Sequence, residues 1–277
     1  MHPYLAILLG AIQGATEFIP VSSSAHLAIM HRLFPHETAD TVLFDVMLHL
    51  GTLVALLAYF WRDWADIFKA NLAKSESHGE DVDNPALKGK AMPLWPLILA
   101  CIPGVIFGIL FEKRIEKVLD NPLIIATTIV MFGIIMVIAD KSAKKVKPMQ
   151  RASLKDWIFV GCAQALAIIP GVSRSGVTIS AGLLRGFQRE AAARFSFLLG
   201  APIILGAALF EARKLIHTTS GEIIPMLLGL ISSALVGYVS IGYLIEYLKK
   251  RGLLIYSLYR FGFAIVVLVI YALGGLR

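Results

Sequence analysis

The feature that most constrains this chain is a set of six long apolar segments that carry almost no charge. They run approximately over residues 43–61, 93–111, 122–139, 195–210, 223–245 and 253–276. Each segment is long enough to cross a hydrocarbon layer of about 30 Å as a helix. Because the apolar runs are continuous rather than alternating, they favour helices over an outer-membrane barrel. The sequence therefore predicts an all-α integral membrane protein.

Composition supports this prediction and excludes two other classes of protein. The chain is 57% hydrophobic and 16% charged, whereas soluble domains are about 45–50% apolar and about 25% charged. These values exclude a soluble globular enzyme and a disordered chain. The net charge of +7 is typical of topology signals beside membrane spans, so no nucleic-acid partner is predicted.

Two further apolar regions, 4–30 and 157–184, are each interrupted halfway by proline and a cluster of serines. Such interruptions predict re-entrant helix–loop–helix segments that enter and leave the membrane on one side. The predicted fold is thus six transmembrane helices plus two re-entrant segments, in one membrane domain over 1–277. The polar stretch 69–90 is predicted to be an extramembrane loop.

The two halves of the chain, about 1–140 and 151–277, resemble each other. An offset of 151 aligns Gln13 with Gln164, Ser22 with Ser173, Ser24 with Ser175, Phe44 with Phe195 and Leu48 with Leu199. After the polar stretch the offset is 129, which aligns Pro96 with Pro225 and Gly108 with Gly237. Each half contains one broken segment and three spans. Three crossings leave the chain on the opposite side of the membrane, so the second half begins on the other side from the first. The halves should therefore form an inverted repeat, as in many transporters.

The basic residues predict the orientation of this repeat. The segments near 62–93, 140–156, 185–194 and 247–253 fall on one side and hold 17 of the 26 Lys and Arg residues. The richer side should be cytoplasmic, which leaves both termini outside. The first broken segment then enters from outside and the second from the cytoplasm, so their tips should meet.

The two tips carry charged groups that are costly inside a membrane. Glu17 and His26 lie in the first tip and Arg174 lies in the second. Ser22 and Ser173 each follow a proline closely and are predicted helix N-caps. Two helix N-termini would direct free N–H groups at one point, which favours an anion. The guanidinium of Arg174 suits phosphate oxygens, so the tips predict phosphate chemistry.

Two residue spacings extend this prediction. Ser23 and His26 are three residues apart, so on a helix they would share a face and form a hydroxyl–imidazole pair. Gln13 and Glu17 are four apart and would place oxygen ligands together for a hard divalent cation.

The same residues also have possible structural roles. The serines Ser22, Ser24 and Ser175 could satisfy a kinked backbone, and Glu17 with Arg174 could form an ion pair that joins the repeats. His26 could be an interhelical hydrogen-bonding group. His49 and Arg260, which are single polar residues in apolar spans, are expected to pack or to snorkel.

Over its whole length the chain resembles the bacterial undecaprenyl-pyrophosphate phosphatases of the bacitracin-resistance type. The family's first motif is similar to Gln13 and Glu17 followed by Pro20-Val21-Ser22-Ser23 and His26. Its second motif, Pro-Gly-x-Ser-Arg-Ser-x-x-Thr, is matched in full over 170–178. The chain has Ser24-Ala25 where the family commonly has Thr-Gly. It also has Gln13 where a glutamate is common, so a metal site would depend more on Glu17.

The resemblance implies removal of the terminal phosphate from a polyprenyl pyrophosphate, which recycles a lipid carrier for cell-wall synthesis and confers bacitracin resistance. It also implies a divalent cation, Mg²⁺ or Ca²⁺, and a place in the bacterial cytoplasmic (inner) membrane with the site opening to the outer face. The predicted catalytic residues are Glu17, Ser23, His26 and Arg174, and Glu17 and Gln13 are the predicted metal ligands. The predicted substrate-binding residues are Ser22, Gly171, Ser173, Ser175 and Thr178.

Several alternatives stay open at this point. Ser23 activated by His26, His26 itself, or a water molecule could attack the phosphate. A polyprenyl-phosphate flippase is the alternative outside the enzymes, since transporters share inverted repeats and charges at mid-membrane. Lipid phosphatases of the phosphatidic-acid type fit less well, because no histidine follows Arg174 until His217. The oligomeric state is also open, a homodimer included.

Overall fold

The computed structural model describes residues 1–34, 41–76, 94–119, 121–211 and 220–276. Within these ranges the regular structure is helical, apart from one isolated bridge between Lys147 and Phe187. The helices are α1 Pro3–Phe18, α2 Ser23–Leu33, α3 Thr41–Tyr59, α4 Trp61–Glu76, α5 Leu94–Leu119, α6 Pro122–Ser142, α7 Leu154–Ala165, α8 Arg174–Leu184, α9 Arg189–Glu211, α10 Ser220–Lys250 and α11 Leu254–Ala272. Short 3-10 turns cover Met149–Arg151 and Leu166–Ile168.

Six of these helices are long and apolar enough to cross a membrane, as the sequence predicts. The qualifying spans are Thr41–Tyr59, Leu94–Phe111, Pro122–Ser142, Arg189–Leu209, Glu222–Lys250 and Leu254–Ala272. Many large apolar side chains on them face outward, among them Ile109, Leu235 and Val239. An outward apolar surface of this extent suits lipid contact rather than water. The prediction of an all-α, multi-pass membrane protein is confirmed.

The two proline-interrupted regions each form a pair of helices with a break between them. In the first, α1 ends at Phe18 and α2 begins at Ser23; in the second, the 3-10 turn after α7 ends at Ile168 and α8 begins at Arg174. Proline has no N–H and restricts the residue before it, which stops each first helix. Helices α2 and α8 have 11 residues each, so each is about 16 Å long, or half the apolar layer.

Two close helix contacts fall at positions that the sequence offsets relate. Gly10 on α1 lies against the carbonyl oxygen of Gly229 on α10, and Gly161 on α7 lies against the carbonyl oxygen of Ala100 on α5. A Cβ atom at either glycine would overlap that oxygen, so both positions require glycine. Small residues let membrane helices approach this closely. The inverted arrangement of the two halves itself stays a prediction.

One predicted loop is partly helical. The polar stretch 69–90 was expected to lie outside regular structure, yet α4 continues through residue 76. The helix is fixed by Trp64 and Ile67, which are buried in the core, and by an ion pair of 2.6 Å between Asp63 and Arg194. The polar composition of residues 69–76 does not indicate a helix, because the side chains that anchor α4 lie earlier in the sequence. Residues 77–93 lie outside the described part of the chain.

Candidate active site

Both helix breaks end in a serine whose backbone is unusual. Ser22 and Ser173 are the N-cap residues of α2 and α8, and they have φ angles of 80° and 70°. A positive φ is costly for a residue other than glycine, and residues strained in this way cluster at functional sites. The Ser173 hydroxyl accepts a hydrogen bond of 3.1 Å from the N–H of Gly176. The predicted N-cap positions are confirmed, although the Ser22 side chain makes no capping bond.

Arg260 on α11 holds the two breaks together. Its guanidinium donates to the carbonyl oxygen of Gly171 at 2.6 Å and lies 3.5 Å from that of Pro20. It also donates to Ile129 at 3.0 Å. The side chain is completely buried, so Arg260 packs inside the protein, which is one of its two expected roles, and does not snorkel. Its charge is compensated by main-chain carbonyl groups from both halves of the chain.

Glu17, in the last turn of α1, is the centre of the polar cluster. Its Oε1 accepts a hydrogen bond of 3.1 Å from Arg174, and its Oε2 accepts one of 2.7 Å from the Ser23 hydroxyl. The amide of Gln13 donates to the same Oε2 at 3.2 Å. The carboxylate is only 6% exposed. Three predicted site residues therefore contact the buried carboxylate of a fourth, and the alternative of a Glu17–Arg174 ion pair is also realised.

His26 does not pair with Ser23, so that predicted contact is wrong. Nδ1 of His26 donates to the main-chain oxygen of Ser22 at 2.8 Å, and Nε2 lies 2.9 Å from the Tyr259 hydroxyl, which donates to it. The ring also stacks on Phe263 with centroids 4.0 Å apart. Ser23 is the first residue of α2 and turns back to α1, whereas His26 faces α11. A shared helix face did not decide the pairing, because the break brings a better acceptor to Ser23.

Arg174 is held in place from α9. Its Nη1 donates to the carbonyl oxygen of Ser196 at 3.2 Å, and the Ser196 hydroxyl lies 2.6 Å from that of Thr178. The guanidinium runs across Gly200, where a Cβ atom would collide with it. The 151-residue offset pairs Gly200 with His49, so the second half has no side chain where the first half has an imidazole. This absence makes room for Arg174.

A cavity of about 450 Å³ opens beside this cluster. Four of the predicted site residues line it, namely Glu17, Ser23, Ser173 and Arg174. The other predicted residues are not among those lining it: Gln13, Ser22, His26, Gly171, Ser175 and Thr178. Much of the remaining wall is apolar and comes from α3 and α9. A polar end and an apolar wall suit a ligand with a charged head and a hydrocarbon tail.

Four polar residues outside the predicted site also line the cavity: Ser24, Asp45, His49 and Gln164. His49 donates from Nδ1 to the carbonyl oxygen of Asp45 at 2.8 Å, and its Nε2 lies 3.7 Å from Oε2 of Glu17. The sequence held a signal for Gln164, since the repeat pairs it with Gln13. For Asp45 and His49 the only signal was a polar residue inside an apolar span.

The donor atoms are compatible with a hard divalent cation. Within the described residues no group of three or more His, Cys, Asp and Glu side chains lies close enough together to hold a metal by itself. However, Oε1 of Gln13 is buried and has no hydrogen-bond partner in the described part of the chain. Mg²⁺ commonly takes one or two protein oxygens and completes its shell with substrate phosphates and water. Gln13 and Glu17 supply oxygens of this kind, although the amide of Gln13 presents Nε2 rather than Oε1 to Glu17.

Fold and site together define a multi-pass membrane protein with a buried polar site between two broken helices. The family model described as Bacitracin resistance protein BacA matches residues 6–266. The chain belongs to this family.

Relatives match the chain from end to end. A protein named undecaprenyl-diphosphatase from Moorella thermoacetica is 42% identical over 267 residues, which cover 96% of this chain and 97% of the relative. One of the same name from Caldicellulosiruptor bescii is 43% identical and covers 99% of both chains. A third, from Pelotomaculum thermopropionicum, is 43% identical and covers 97% of both. The resemblance inferred from the two motifs is confirmed.

Proposed function

We propose that this protein is a membrane hydrolase that removes the terminal phosphate of undecaprenyl diphosphate and leaves undecaprenyl phosphate. The observation that carries the proposal is the contact of Ser23 and Arg174 with one buried carboxylate, that of Glu17, at a cavity with apolar walls. A nucleophile beside a base, with a guanidinium alongside, is the arrangement that phosphoryl transfer needs. Family membership and the name shared by the full-length relatives support this substrate.

In the first step the Ser23 oxygen attacks the terminal phosphorus. Its proton passes to Oε2 of Glu17, to which the hydroxyl already donates at 2.7 Å. As the new oxygen–phosphorus bond forms, the bridging oxygen–phosphorus bond breaks, and undecaprenyl phosphate leaves with the electron pair. Arg174 stabilises the charge on the transferring group, the main task of the protein in such reactions. Its Nε is buried and has no partner among the described residues, so it keeps a donor for a phosphate oxygen.

In the second step the oxygen of a water molecule bonds to the phosphorus of the phosphoserine and the serine oxygen–phosphorus bond breaks. The proton held by Glu17 returns to the Ser23 oxygen, and inorganic phosphate leaves with the protons of the water. We assign His26 a positioning role, because both of its ring nitrogens are engaged and it holds the main chain of Ser22 next to the nucleophile. Thr178 acts similarly on α8, since its hydroxyl donates to the carbonyl oxygen of Arg174 at 2.7 Å. The Ser175 hydroxyl lies 3.2 Å from that of Ser173 and positions that residue. A divalent cation bound by Glu17 and Gln13 would neutralise charge on the diphosphate.

Phosphate release in detergent tests the proposed function. Purified protein in detergent micelles, supplied with undecaprenyl diphosphate and Mg²⁺ or Ca²⁺, should release one inorganic phosphate for each diphosphate consumed. No transport can occur without a membrane that separates two compartments. If no phosphate is released with Mg²⁺ and none with Ca²⁺, the hydrolase is rejected and the flippase is favoured. Assembly as a homodimer stays a prediction.

We further propose that the protein lies in the bacterial cytoplasmic membrane with both termini outside and the cavity open to the outer face. The excess of basic residues on one side supports this orientation. The cavity is lined by Val42 and Asp45 near the start of α3, and by Ala207 and Ala208 near the end of α9. With both termini outside, these two helix ends lie in the outer half of the membrane.

Thiol labelling in intact cells checks the orientation. In a variant without native cysteines, Val42→Cys should react with a membrane-impermeant maleimide. The matched variant Lys250→Cys, at the end of α10, should react only after the cells are permeabilised. Both positions are well exposed, at 52% for Val42 and 78% for the Lys250 side chain. The opposite labelling pattern would reverse the proposed orientation.

A further inference from the structure

Gln164, at the end of α7, is a buried amide without a partner. The residue is 3% exposed, and neither its Nε2 nor its Oε1 has a hydrogen-bond partner in the described part of the chain. Leaving a buried donor or acceptor unsatisfied destabilises a protein, and native structures contain few such groups. This one also lines the cavity that holds Glu17, Ser23 and Arg174. An unpaired amide at that place indicates a partner that arrives from the cavity.

The other half of the chain shows which partner Gln164 lacks. Its counterpart Gln13 donates to the carboxylate of Glu17, four residues further along α1. The 151-residue offset places Ile168 where the first half has Glu17, and Ile168 also lines the cavity. The second half therefore keeps the amide but replaces its acceptor with an apolar side chain. An anion in the cavity would supply the missing acceptor.

We propose that Gln164 is a binding residue for the diphosphate head group of the substrate. Its Nε2 donates to a phosphate oxygen, and its Oε1 accepts from a protonated phosphate oxygen or from a water molecule bound there. The first half thus supplies nucleophile and base, Ser23 and Glu17, and the second half supplies the anion donors Arg174 and Gln164. The proposal rests on the proposed function, since it assigns the head group of that substrate.

The test uses the full-length protein in detergent and inorganic pyrophosphate as a probe without a lipid tail. Gln164→Leu keeps the size of the side chain and removes both polar atoms. A hydrogen bond to a charged group is worth about tenfold to a hundredfold in binding. We expect the Kd for pyrophosphate, measured by calorimetry, to rise by that factor, and kcat/KM for undecaprenyl diphosphate to fall by a similar factor. Gln164→Glu, which adds a negative charge, should weaken pyrophosphate binding further.

Ser180→Ala is the matched control. The Ser180 hydroxyl is also buried without a partner in the described residues, but Ser180 does not line the cavity. Its removal should leave both the Kd and kcat/KM within about twofold of the parent protein, as for substitutions that affect no ligand contact. Both variants should keep or raise the melting temperature, because each removes an unsatisfied buried group.

The outcomes separate the inference from the proposed function. Unchanged pyrophosphate affinity in a folded Gln164→Leu protein would overturn the inference, whether or not the protein releases phosphate. A lower melting temperature with a normal Kd would assign Gln164 a purely structural role and overturn it equally. Pyrophosphate binding that depends on Gln164 in a protein that releases no phosphate would support the head-group site and reject the hydrolase.

Discussion

Arg174→Lys should lower the rate of phosphate release by about a hundredfold to a thousandfold, and Arg174→Ala by about a thousandfold or more. Lysine keeps the positive charge beside Glu17 but cannot offer the two-pronged donor arrangement that a phosphoryl group needs. The loss should appear in kcat, because the contact is strongest in the transition state. Arg174→Ala also leaves the buried Glu17 carboxylate without its cation, so its melting temperature should fall.

Gly200→Ala provides an independent check without changing any residue of the polar cluster. A Cβ atom at position 200 would collide with the guanidinium of Arg174, and only that flexible end has to move. Folding should be kept while kcat falls by about tenfold to a hundredfold, as for a displaced catalytic group. Gly206→Ala on the same helix meets no atom within 4 Å and is the control. Normal rates in both Arg174→Lys and Gly200→Ala would contradict the role of Arg174.

Ser23→Ala should abolish turnover to the limit of detection, a loss of about a thousandfold or more, since a covalent route has no substitute for its nucleophile. Glu17→Gln should have a comparable effect because the amide cannot take the Ser23 proton. His26→Gln should cost less, since the ring contacts the main chain of Ser22 rather than the Ser23 hydroxyl. Steady-state rates of the three purified variants, with melting temperatures alongside, test this order. A His26→Gln protein that is as inactive as Ser23→Ala and has normal stability would contradict this order and support His26 as the base that activates Ser23.

Much of the fold could be predicted because the membrane imposes strong constraints on sequence. Six spans and two proline-interrupted regions follow from the length of uncharged runs, which the apolar layer fixes. The location of the site followed from charges placed at those interruptions, where they are too costly to be incidental. Helix α4 was missed because Trp64 and Ile67, which anchor it, stand before a stretch with no apolar period.

The pairing of side chains could not be predicted in the same way. Helical spacing relates residues within one helix, but Ser23 on α2 donates a hydrogen bond to Glu17 on α1, across the break. Contacts of this kind depend on the direction in which the chain leaves the first helix, and helical spacing does not give that direction. Arg260 is a single charge in an apolar span, so its sequence context did not reveal that it reaches carbonyl oxygens of both breaks. Gly200 and His49 became informative only when Arg174 was seen to pass across the glycine.

The phosphoenzyme is the most direct test of the account that Ser23, held by Glu17, takes the phosphate from the substrate. Purified protein is mixed with undecaprenyl diphosphate labelled in its terminal phosphate, quenched rapidly in acid or in alkali, digested and analysed by mass spectrometry. We predict an acid-stable phosphate on Ser23, formed before free phosphate accumulates and absent from Ser23→Ala. An acid-labile phosphate on His26, or phosphate release with no labelled residue in either quench, would contradict it.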